Sequence, residues 1–162
     1  MPPTKPRRLS PLRRWLFRVP VYLYRWRCGR LLGRRFLLLI HVGRRTGRRR
    51  ETVLEIMECR KNGPEAVVMS AFGGGADWLR NIDATPGAQV VIGPERFVTV
   101  HRVLGVAEAV NVVSGYEERN WPMRPIIRLV LSRLLGWPYR SSQSDRERLV
   151  RQLPLVAFRP RS

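Results

Sequence analysis

The densest chemistry in the chain lies in nine consecutive residues, Val42-Gly43-Arg44-Arg45-Thr46-Gly47-Arg48-Arg49-Arg50. Two glycines four apart let the backbone turn tightly and present consecutive N–H groups. Thr46 adds a neutral hydroxyl donor. The guanidinium groups of Arg45 and Arg50 can grip a phosphate or carboxylate bidentately, which lysine does less well. Together these features describe a concave receptor for an anion. The stretch is not a Walker loop, because it lacks both that glycine spacing and the Gly-Lys-Ser/Thr ending. An exposed, solvated arginine-rich tip is the alternative, and these residues alone weigh the two readings evenly.

A second stretch, Ser70-Ala71-Phe72-Gly73-Gly74-Gly75-Ala76-Asp77-Trp78-Leu79-Arg80-Asn81-Ile82, follows some thirty residues on. Three consecutive glycines are costly to order, so they suggest a backbone passing close to something flat or bulky. Trp78 and Asn81, three apart on a short helix, point the same way. For Trp78 a packed structural role is the favoured reading; for Asn81 the plain alternative is a capping or solvated amide. His41 and His101 are the only histidines, each inside an expected strand and neither in a ligand spacing, so no metal site is expected. Ser70 lacks the G-x-S-x-G elbow of a hydrolase nucleophile.

These segments need strands and turns to hold them. Phe36–Val42 reads as a buried strand and Thr52–Cys59 as its partner, with Gly43–Arg50 connecting them. Lys61-Asn62-Gly63-Pro64 signals a turn before a third strand, Ala66–Ser70. Asp77–Ile82 reads as a short helix capped by Asp77. Gln89–Ile92 and Arg96–Val106 form a hairpin across Gly93-Pro94. Ala107–Arg119, Met123–Leu135 and Ser144–Gln152 read as helices, and Leu155–Arg159 as a closing strand. The expected class is α+β: one antiparallel, barrel-like sheet with peripheral helices.

The chain has 162 residues and 44% hydrophobic content, enough for one domain with a real core. Its longest apolar run, near Phe36–Ile40, is far short of a bilayer span, and the first residues do not read as a secretory signal. Cys28 and Cys59 form no framework, which suits a reducing cytoplasm. Of 31 basic residues, 29 are arginine, and the net charge is +19. Residues 1–50 carry 16 basic groups and no acid, whereas the remaining 112 carry 15 basic and 12 acidic groups, a balance of +3. Codon bias can favour arginine over lysine, but it cannot segregate charge.

Leu37–Arg50, Ser70–Ile82 with its Trp-x-x-Asn ending, and Pro86-Gly87-Ala88-Gln89-Val90 together resemble the deazaflavin (F420)-dependent nitroreductase and quinone reductase family. Leu153–Pro160 looks like that family's last strand. The resemblance spans about Leu37 to Pro160 and is thin between Gly115 and Ser144. It implies a split β-barrel of the flavin-reductase type that binds coenzyme F420, with FMN as the lesser alternative. It implies that Gly43, Arg45, Thr46, Gly47 and Arg50 hold the cofactor's phosphate and acidic tail. Ser70, Ala71 and Phe72 would line the deazaflavin ring, with Trp78 and Asn81 completing the pocket. Hydride transfer to a small, lipophilic acceptor such as a quinone is the implied reaction. Ser70 and Tyr116 are the candidate hydrogen-bond donors to that substrate. Two departures stand out: Ala71 replaces a frequent lysine, and the residues around Tyr116 do not match the family's tyrosine cluster.

Residues 1–35 read as a basic amphipathic helical region set apart from a barrel domain over 36–162. Leu12, Trp15, Leu16 and Val19 share one face, and arginines interleave with Trp15, Phe17, Tyr22, Tyr24 and Trp26. This composition fits an anionic membrane surface, at the inner face of the plasma membrane for a cytoplasmic protein. Nucleic acid is the less favoured partner. Packing against the barrel is the structural alternative, and a homodimer is compatible with the fold. The competing function is a non-catalytic basic protein that binds membrane or nucleic acid.

Overall fold

The computed structural model describes residues 33–60 and 65–162. The amphipathic region expected over residues 1–35, with its domain boundary and membrane role, lies almost wholly outside the described residues.

Six strands close into an antiparallel barrel: β1 (Phe36–Val42), β2 (Arg49–Arg60), β3 (Glu65–Met69), β4 (Gln89–Ile92), β5 (Glu95–Val103) and β6 (Leu155–Pro160), in the order β1-β2-β3-β6-β5-β4. Among the described residues four α-helices accompany it: α1 (Asp77–Ala84), α2 (Val106–Arg119), α3 (Arg124–Leu135) and α4 (Gln143–Gln152). The expected fold class is therefore the observed one, a split β-barrel with peripheral helices. Closure removes the exposed sheet edges that an open six-stranded sheet would carry.

The period-2 alternation of side chains explains how the layers assemble. Along β3, Ala66 and Val68 point into the barrel with Leu37, Leu39, Val90, Trp78 and Phe158. Val67, between them, points outward to a second cluster with Val110, Val113, Leu131 and Leu149 from the helices. Strand β6 repeats this, with Val156 and Phe158 inside and Leu155 and Ala157 outside. Both faces of these strands are buried, which is why they read as unbroken apolar runs. Helices α2, α3 and α4 form a layer over that wall.

Several boundaries shift from expectation, β5 ending at Val103 so that Val106 opens α2, and two differences bear on the site. Strand β2 begins at Arg49, because Val42↔Arg49 and His41↔Arg50 continue the ladder, so the connection is only Gly43–Arg48. Helix α1 is capped by Ala76, which offers no side chain; Asp77 is its first residue and turns its carboxylate to Arg44 instead.

Candidate functional site

The β1–β2 connection is a tight loop built on one carbonyl. Gly43 O accepts from Thr46 N at 3.2 Å and from Gly47 N at 2.8 Å, while Gly43 N donates to Arg48 O at 2.9 Å. Gly47 has φ +63°, in the left-handed region that a side chain disfavours. Gly43 is glycine for another reason. A Cβ there would lie 2.9 Å from both Arg50 Nε and Thr46 Oγ1, so these two polar side chains converge over bare backbone.

Helix α1 fixes the loop from the side. The Arg44 backbone N–H donates to Asn81 Oδ1 at 3.1 Å, and its guanidinium donates to the same oxygen at 2.8 Å and to Asp77 Oδ1 at 3.1 Å. The Asn81 amide nitrogen donates to His41 Nδ1 at 3.3 Å, which leaves His41 Nε2–H to donate to Thr52 Oγ1 at 3.2 Å. This network assigns a neutral imidazole. Burial first, then the Arg50 charge, hold the His41 pKa below its ordinary 6.5, in agreement.

The result is a hollow of about 210 Å³ lined by Gly43, Arg44, Arg45, Thr46, Arg50, Asp77 and Asn81. Arg45 and Arg50 are exposed, and among the described residues neither forms an ion pair with a carboxylate. A second hollow, of about 280 Å³, lies at the end of β1 beside Ile40, Val42, Arg49, Pro86, Gly87 and Gln89. Whole-ligand pockets run from roughly 300 Å³ upward. The first hollow therefore suits an anionic group such as a phosphate rather than a complete cofactor.

The structure gathers Gly43, Arg45, Thr46, Arg50 and Asn81 at one hollow, with Gly47 in the same loop. It does not bring Ser70, Ala71, Phe72 or Trp78 to either hollow. Ser70 is fully buried, and its hydroxyl donates to Gly73 O at 2.7 Å. In this arrangement the hydroxyl expected as a substrate donor closes the turn after β3. Ala71 is half-buried and Phe72 is exposed. Trp78 is buried against Phe158, ring centroids 6.1 Å apart, and is a core residue.

Tyr116 lies farther from the loop. Its hydroxyl donates to Glu55 Oε1 at 2.7 Å, and Glu55 pairs with Phe36 at the far end of the β1–β2 hairpin. The loop at Val42↔Arg49 is six residue pairs away, roughly 20 Å along a strand. Burial, then the Glu55 hydrogen bond, push the phenol up to about 12.

Arg44 and His41 were not among the expected site residues, although both hold the loop. Arg44 had no distinguishing signal among five arginines. His41, by its alternation with Leu37 and Leu39, could have been placed on the inward face of β1. Among the described residues, no group of three His, Cys, Asp or Glu side chains could hold a metal ion. No helix among them is long and apolar enough to cross a membrane.

A closed antiparallel barrel with an arginine-lined hollow at a strand connection places the chain in the split-barrel class. The family model described as "F420H(2)-dependent quinone reductase" matches residues 16–124. The chain belongs to that family, which makes it an oxidoreductase whose cofactor is coenzyme F420. Among solved structures it is similar to an F420-H2 dependent reductase, with 17% identity, TM-score 0.49, and coverage of 78% of this chain and 96% of that one. A protein of unknown function from Agrobacterium tumefaciens shares 15% identity at TM-score 0.50, covering 100% of this chain and 60% of that one. An FMN-binding, pyridoxamine 5'-phosphate oxidase-related protein from Nostoc punctiforme shares 16% identity at TM-score 0.45, covering 94% and 82%. At these identities the likeness concerns fold alone. Among curated proteins, none matches the chain.

Proposed function

We propose that this chain reduces a small lipophilic acceptor, a quinone for preference, with the anionic end of coenzyme F420 held in the hollow over Gly43. The observation that carries this reading is the convergence of Thr46 and Arg50 on bare backbone, with Arg45 beside them and, among the described residues, no carboxylate paired to either arginine. The preference for a quinone draws on the family's description.

The donor set fits a phosphate. Arg45 and Arg50 supply charged, fork-shaped donors, and Thr46 supplies a hydroxyl. Asn81 and Asp77 keep Arg44 turned toward α1, so this side chain shapes the wall instead of sweeping across the opening. His41 stays neutral beneath the loop and adds no further positive charge. When bound, reduced F420 supplies a hydride to an acceptor stacked on its ring. The chain's own part is to grip, orient and exclude water. Neither Ser70 nor Tyr116 has a free hydroxyl proton aimed at the loop, so the single proton that accompanies the hydride would come from water. The same reading keeps residues 1–35 as a basic unit separate from the barrel over 36–162.

Fluorescence titration of purified protein with F420 tests the grip. Saturable quenching or enhancement is expected, with FMN binding more weakly. Oxidation of reduced F420 by a soluble quinone, followed by absorbance, tests the acceptor. Saturable cofactor binding with no quinone turnover would overturn the acceptor while leaving the grip intact. Absence of cofactor binding would overturn both.

A further inference from the structure

We infer that α3 and the turn before it form a docking element for an anionic lipid surface. Helix α3 is apolar on two sides. Leu131 and Leu135 are buried, and Ile127 and Leu134 pack beside them on the helix-layer core. Ile126, Leu129 and Val130 instead face solvent, at 52%, 54% and 49% exposure. Just before the helix, Trp121 is 71% exposed and Met123 46%. Residues 126, 129, 130 and 133 follow i, i+3, i+4, i+7 spacing, so they form one stripe ending at the exposed Arg133.

A single exposed leucine is ordinary, but a contiguous apolar stripe on a helix marks an interaction site. The surrounding charge selects the occupant. Residues 119–144 contain five arginines, Arg119, Arg124, Arg128, Arg133 and Arg140, and no acidic residue. Arg119 is engaged with Met57 O, and Arg128 Nε donates to Ser141 Oγ. Arg124 Nε is shielded from water without a partner among the described residues. Arg133 and Arg140 are exposed.

An apolar stripe with an exposed tryptophan, set in a stretch, 119–144, whose charged side chains are all arginine, has the composition of a helix lying in a membrane interface. The apolar side chains enter the acyl boundary while the exposed arginines meet lipid phosphates. A protein partner of ordinary composition would be expected to meet some carboxylates here. The element is too short to span a bilayer, being only 12 residues long. It would lie on the surface.

The test is co-sedimentation of the full chain, residues 1–162, with vesicles of phosphatidylcholine containing phosphatidylglycerol, beside pure phosphatidylcholine. The variants are Ile126→Glu/Leu129→Glu and, separately, Trp121→Ala. All three positions are exposed, so the fold should survive, and circular dichroism checks it. Binding to anionic vesicles should fall about tenfold in the double variant, and less in Trp121→Ala, with residues 1–35 intact in both. Equal sedimentation of wild type and the double variant would overturn the inference, assigning any binding to the basic N-terminal region. Loss of a dimer in the double variant, with lipid binding unchanged, would also overturn it by showing that a second copy covers the stripe.

Discussion

Two arginine-rich regions of this molecule treat their charge in opposite ways. In the helix layer, the Glu117 carboxylate is fully buried and receives two hydrogen bonds from Arg146, at 2.7 and 3.0 Å, with others from Tyr139 and Ser141 at 2.6 and 2.9 Å. Nearby, Arg60 and Arg102 share Glu65 and Glu108 across β2, β3, β5 and α2. Around the β1–β2 connection, Asp77 holds Arg44 and Glu51 holds Arg49, while Arg45 and Arg50 stand open around a hollow. The same residue type is structural where acids match it and ligand-ready where they do not. Arginine content alone says nothing about which role applies; the placement of twelve acids decides.

The largest expected effect comes from breaking the matched region. Glu117→Gln leaves Arg146, only 17% exposed, without its counter-charge. Removing one partner of a buried pair costs about 3–5 kcal/mol. For a domain of this size, 3 kcal/mol lowers the melting temperature by roughly 6–12 °C. Thermal unfolding of the purified variant measures it. A change below 2 °C would show that the buried carboxylate contributes little and that the contrast between the regions is only apparent.

The open region should respond the other way. Arg45→Ala/Arg50→Ala removes two charge-assisted grips at no cost to packing. F420 affinity should fall about 100-fold, equivalent to about 2.7 kcal/mol, with the melting temperature nearly unchanged. Calorimetric titration and a thermal melt on the same sample check both halves. Full affinity in this variant would remove these arginines from the site.

The sequence made the open region visible and hid the matched one. Gly43-Arg44-Arg45-Thr46-Gly47 is contiguous, so its chemistry could be read from neighbours in the chain. The strands were legible from alternation and from the doubly buried runs in β3 and β6. Glu117, by contrast, meets Tyr139, Ser141 and Arg146 across 22 to 29 residues. Nothing local distinguishes it from the exposed Glu118 beside it. The engagement of Ser70 and Tyr116 is hidden from the sequence for a related reason. Each hydroxyl is engaged by a partner, Gly73 O or Glu55, that only three-dimensional contact reveals. The family resemblance implies Asn81 at the pocket, but its bond to the Arg44 backbone depends on how α1 docks on the loop.

Asn81→Ala sits between the two regimes, because it removes a positioning contact rather than a grip or a buried charge. The Arg44 N–H loses its acceptor, and His41 loses the amide on Nδ1. The expected outcome is F420 binding weakened about tenfold, with stability lowered by about 1–2 kcal/mol. Asn81→Asp retains the Oδ1 acceptor and should restore part of the binding relative to alanine. If both variants bind as wild type, the loop holds its shape without α1.

Acid titration separates the regions through their windows, with the smallest effects. The His41 pKa is depressed in the folded chain, so the unfolded chain takes up the proton first. Stability associated with the loop therefore begins to fall as pH drops below 6.5. Glu108 behaves as a matched carboxylate: hydrogen bonds from Arg102, then Arg60, lower it from 4.5 to about 2. Its contribution is intact above 4.5 and disappears as pH falls through about 2. With 34% of that side chain exposed, solvent screening holds the contribution to under about 1 kcal/mol. Urea unfolding across pH 2–7 should accordingly show two limbs. His41→Asn should flatten the upper limb and Glu108→Gln the lower. If Glu108→Gln flattened the upper limb instead, the assignment of the two windows to the two regions would be reversed.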